Sequence, residues 1–80
     1  MTKENIKKIL SKNFKDSIIE VVDINKDSSH FSLLIISNKF THLNLINRHK
    51  LVYNLFKEQL TKEIHALQIK AYTQKEWKNI

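Results

Sequence analysis

The sequence predicts an α+β domain, a three-stranded sheet covered by helices in the order αββααβα. Three observations carry this reading. Two runs dense in β-branched and large apolar residues, Ser17 to Ile24 and His30 to Ser37, flank a short polar segment and read as an antiparallel hairpin. A stretch from Asn47 to about Lys62 places Leu51, Val52, Leu55, Phe56 and Leu60 at helical spacing. Ile64 to Tyr72 then returns to strand composition and is followed by Thr73 and Glu76 at the spacing of a capping box.

The elements follow in order. Thr2 is a candidate N-cap for a helix to about Lys12, with Ile6, Ile9 and Leu10 on one face and Lys3, Lys7, Lys8 and Lys12 mostly on the other. Such a helix lies on a sheet. The chain has no glycine and no proline, so turns must be built from Asn, Asp and Ser. Asn25 to Ser29 is the predicted hairpin turn, with Asn and Asp standing in for glycine. In the second strand Phe31, Leu33 and Ile35 share one face, while Leu34 and Ile36 imply partial cover on the other. Asn38 to Ile46 shows no clean period and is expected to be an ordered connection containing a helical turn. The closing helix carries Trp77, expected as a lid over the core. Residues 1–80 are expected to form a single domain.

Composition excludes several classes of function. At 80 residues the chain can bury one modest core and cannot enclose a deep active site. It has no cysteine, hence no disulfide, no thiolate nucleophile and no metal site built on its own thiolates. Apolar runs such as Phe31 to Ile36 fall far short of the roughly 20 residues a membrane span requires. The first residues lack the apolar stretch of a secretory signal, and a cytoplasmic location is expected. A net charge of +6 suits nucleic acid or an acidic protein partner, although the same lysine- and asparagine-rich vocabulary runs through the whole chain. There is no glycine-rich phosphate loop, no HExxH helix and no Ser-His-Asp spacing, and Glu20 and Asp23 fall on opposite strand faces. The chain is not expected to be an enzyme.

Five motifs carry a family resemblance. His30-Phe31 after Ser29, Ser37-Asn38-Lys39-Phe40, Arg48-His49-Lys50-Leu51-Val52-Tyr53, His65-Ala66-Leu67 and Tyr72-Thr73-Gln74-Lys75-Glu76-Trp77 resemble, in order and spacing, the successive motifs of the BolA family. The match spans essentially residues 6 to 77. It implies a fold similar to a class II KH domain. It also implies a partnership with a monothiol glutaredoxin, in which the two proteins share a [2Fe-2S] cluster. The glutaredoxin and a bound glutathione would supply thiolates, and the BolA-like chain would supply the histidine of the HAL motif, here His65. The alternative is a DNA-binding transcriptional regulator. The free chain is expected to be a monomer or weak homodimer, with no membrane association.

The second ligand is less determined. Many family members have a Cys or His in the loop between the first two strands, and the aligned position here is Asp27, with His30 following it. Carboxylate oxygen is a hard ligand poorly matched to an iron-sulfide cluster, and His30 and Asp27 both stay open as candidates. Each histidine also has a plain structural reading. His65 and His30 could be residues at strand starts bonded to backbone. His49 sits at a helix start, where a charged imidazole opposes the helix dipole, which favours a neutral structural residue or a partner contact over a metal ligand. Arg48, His49 and Lys50 are the candidate partner or nucleic-acid contacts. A working KH domain grips nucleic acid through a GXXG loop, which a chain without glycine cannot form. His42 stands where the family usually has glycine and is expected at the surface.

Overall fold

The computed structural model describes residues 1–60 and 62–80. Helix α1 (Lys3–Asn13) is followed by β1 (Ile18–Asp23), β2 (His30–Ile36), a short 3-10 turn (Asn38–Phe40), α2 (Leu45–Leu55), β3 (Ala66–Tyr72) and α3 (Gln74–Lys78). The sheet order is β1-β2-β3. β1 and β2 pair antiparallel, with Ile18 opposite Ile36 and Asp23 opposite Phe31. β2 and β3 pair parallel, with His30 opposite Ala66 and Ile36 opposite Tyr72.

Local chemistry sets the helix starts. The Thr2 hydroxyl accepts the Asn5 N–H, and the Asn44 side chain accepts the Asn47 N–H at 2.8 Å. Each replaces a backbone acceptor that the first helical turn lacks. Thr73 and Glu76 complete the expected capping box. Because strand side chains alternate, Ile19, Phe31, Leu33, Ile35, Leu67 and Ala71 turn to one face of the sheet. There they form a single buried cluster with Ile6 and Leu10 of α1, Val52 of α2, and Phe14, Phe40, Phe56 and Ile64 from the connections.

Three expectations are corrected. The central helix starts at Leu45 and ends at Leu55, earlier at both ends than Asn47 to Lys62. Its apolar spacing continues through Phe56 and Leu60 because successive turns replace the helix there; Thr61, inside the expected helix, lies outside the described residues. In the hairpin loop the left-handed backbone positions are Lys26 and Ser28, not Asn25 and Asp27. Trp77 is not a lid on the core. It is 41% exposed and packs on Tyr72, ring centroids 5.5 Å apart, on the sheet face away from α1 and α2.

His42 is exposed, as expected, and carries φ 68°, the conformation that glycine adopts most readily. Asp16, Lys26 and Ser28 are also left-handed. Lacking glycine, this chain places ordinary residues at turn positions that disfavour a Cβ.

Candidate functional site

The parallel pairing of β2 with β3 brings the starts of both strands to one end of the sheet. His30 opens β2, and His65 immediately precedes β3. The backbone N–H groups of His65 and Ala66 both donate to the Ser29 carbonyl, at 2.7 and 3.1 Å, which locks the two strand starts together. As a result the imidazoles of His30 and His65 stack, with centroids 5.9 Å apart and planes inclined by 15°. His65 is exposed and His30 is partly so.

Asp27 completes the arrangement. Its Oδ1 accepts the backbone N–H groups of Ser29 and His30 at 3.0 and 3.2 Å, and its Oδ2 lies 2.8 Å from Nδ1 of His30. The Ser29 N–H is the main reason that the Asp27 carboxyl is held down at a pKa of about 2, with the His30 contact adding to it. Asp27 is therefore an anion committed to its own loop and to His30. Its Oδ1 already accepts two backbone N–H groups and its Oδ2 is in contact with the His30 ring, which weighs against it as an independent metal ligand. Among the described residues, no group of three or more His, Cys, Asp or Glu side chains is arranged to hold a metal ion. The two imidazoles could fill part of a coordination sphere, and the remainder would have to come from another molecule.

The basic helix start has a different character. Arg48 is 9% exposed. Its guanidinium donates to the Leu43 and Ala71 carbonyls at 2.9 and 3.1 Å and to both oxygens of Glu76, and it lies over the Phe40 ring. The sequence reading makes Arg48 a partner or nucleic-acid contact. The structure instead makes it an internal fastener, because its donors face the protein. His49 is half-buried, and its Nε2 is shielded from solvent and has no hydrogen-bond partner among the described residues. Of the three expected contacts, Lys50 alone is exposed. No described helix is long and apolar enough to cross a membrane.

Comparison with known proteins agrees with this architecture. The BolA-like protein family profile matches residues 10–76. An uncharacterised protein of Rickettsia prowazekii is 43% identical over 84% of this chain and 87% of its own length. The DNA-binding transcriptional regulator BolA of Escherichia coli is 33% identical over 100% of this chain and 83% of its own. The solved structure of BolA1 from Arabidopsis thaliana superposes with a TM-score of 0.85 at 32% identity, over 92% of this chain and 93% of that one. This chain belongs to the BolA-like protein family.

Proposed function

We propose that this chain is the histidine-donating partner of a monothiol glutaredoxin, the two proteins sharing a [2Fe-2S] cluster in iron-sulfur trafficking or iron and redox regulation. The observation that carries the reading is the exposed, stacked pair of His30 and His65 at one end of the sheet. In a chain with no cysteine, imidazole nitrogen is the best available match for iron. His65 is the primary ligand, and His30 is the second candidate. Imidazole in place of thiolate changes the charge of a cluster and raises its reduction potential, a property useful for sensing or transfer. The test is to mix the chain with cluster-loaded monothiol glutaredoxin and glutathione. New visible absorption and circular dichroism bands at a one-to-one ratio support the reading.

A second reading is direct DNA binding, favoured by the 33% identical relative named as a DNA-binding regulator and by the charge of +6. The inward-facing donors of Arg48 remove one expected phosphate contact from that reading. Phosphate-dominated binding weakens steeply as salt rises. Sequence-specific, nanomolar binding at physiological salt without glutaredoxin would put this reading first.

A further inference from the structure

The two oxygens of Asp27 have separate tasks. Oδ1 closes the turn by accepting the Ser29 and His30 backbone N–H groups. Oδ2, 2.8 Å from the His30 ring, contacts Nδ1. An ionised carboxylate can only accept, so this contact requires the hydrogen on Nδ1, and in the neutral ring Nε2 is then left with its lone pair. The Ser29 hydroxyl, 3.1 Å from the same Nδ1, can share that hydrogen.

We propose that Asp27 is a positioning residue: by taking the Nδ1 hydrogen it fixes the tautomer and orientation of His30 and presents Nε2 beside His65. The consequence for a cluster rests on the glutaredoxin reading above, in which Nε2 is the nitrogen on offer. The tautomer itself does not. Carboxylates commonly hold metal-binding histidines in this way, through the ring nitrogen that faces away from the metal.

Asp27→Asn separates the ring task from the turn task. Two backbone N–H groups call for an oxygen at the Oδ1 position, which turns the amide NH2 toward the ring. That NH2 can only donate, so Nδ1 must become the acceptor and the hydrogen must move to Nε2. Long-range proton–nitrogen NMR correlation on the free chain, at alkaline pH where imidazoles are neutral, reads which ring nitrogen is protonated. The expected result is Nδ1–H for His30 in the wild type and Nε2–H in Asp27→Asn, with the backbone spectrum otherwise preserved. Ser29→Ala is expected to keep Nδ1–H. A wild-type His30 protonated on Nε2, or an unchanged tautomer in Asp27→Asn, would overturn the proposal and leave Asp27 as a turn-former. Loss of Nδ1–H in Ser29→Ala would overturn it by transferring the role to Ser29. No partner protein enters these measurements, so a failure of the glutaredoxin reading is distinguishable from a failure of this one. If both hold, the glutaredoxin complex of Asp27→Asn shows the same reduction or shift of its spectral bands as that of His30→Ala.

Discussion

Arg48 and Glu76, from α2 and α3, meet through two parallel hydrogen bonds, Nη1 to Oε1 at 2.6 Å and Nη2 to Oε2 at 2.9 Å. The same Glu76 Oε1 accepts the Thr73 backbone N–H, and the same Nη1 donates to the Ala71 carbonyl. One planar guanidinium thereby joins the central helix, the end of β3 and the capping box. Lysine has no such fork. Arg48→Ala is expected to cost at least about 1–3 kcal/mol, the penalty for leaving a buried acceptor such as the Ala71 carbonyl unsatisfied. Arg48→Lys should recover little of it. Lys50→Ala, an exposed change, should stay within about 0.5 kcal/mol of wild type in the same urea titration. Equal effects at positions 48 and 50 would contradict the fastener role.

The pair also predicts a pH dependence. Hydrogen bonding by Arg48, helped by the Thr73 N–H, holds the Glu76 carboxyl down from 4.5 to about 2. A carboxyl whose pKa is lower in the folded state contributes stability above its unfolded pKa and loses it as pH falls through the folded value. The contribution of Glu76 is therefore present above about pH 4.5 and fades toward about pH 2. It is modest, because Glu76 is partly solvent-screened. Thermal unfolding of wild type and Glu76→Gln should show a difference at pH 6 that narrows steadily as pH drops through this window. A gap independent of pH would mean that the carboxylate charge plays no part.

In the core, Val52 and Phe56 are fully buried, whereas Leu55 is only half-buried. Phe56→Ala should cost about 3–5 kcal/mol, and Leu55→Ala distinctly less than the roughly 2–5 kcal/mol of a buried leucine. A domain of this size has only a few kcal/mol of net stability, so Phe56→Ala should be largely unfolded by circular dichroism while Leu55→Ala keeps its transition.

His42 offers a stabilising substitution. Its φ of 68° costs a residue with a Cβ on the order of 1–2 kcal/mol. Glycine removes that strain but adds roughly 0.5–1 kcal/mol of unfolded-state entropy. His42→Gly should therefore gain up to about 1 kcal/mol, and His42→Ala should not. A lower melting temperature for the glycine variant would show that the His42 side chain makes a contribution of its own.

The parts of the fold legible in the sequence are those specified locally. Thr2 and the Thr73–Glu76 box announce their helices, and the period of two in Phe31, Leu33 and Ile35 identifies the buried face. The start of α2 misleads because Leu45 and Ile46 are 63% and 66% exposed, so the first turn shows no apolar period and the real cap, Asn44, is obscured. Arg48 misleads for a different reason. Its Ala71 and Glu76 partners lie 23 and 28 residues away along the chain, and only the tertiary fold brings them to it. In the site, His65 and His30 are legible singly as motif residues. Their stacking depends on the parallel β2–β3 register, and Asp27 is seen to serve His30 only once the turn geometry is known.

On the proposed glutaredoxin reading, what this chain would offer to a shared cluster is His65, with His30 beside it. The decisive experiment is visible circular dichroism of the one-to-one mixture with cluster-loaded monothiol glutaredoxin, compared among wild type, His65→Ala and His30→Ala. Each variant should first be shown to be folded by its far-ultraviolet spectrum, which is expected to match wild type because the His65 side chain is exposed and lies outside the core. His65→Ala is expected to abolish the mixed-ligand bands, and His30→Ala to reduce or shift them. An unchanged spectrum for the His65→Ala complex would contradict the ligand role and leave His65 as a structural residue at the start of a strand.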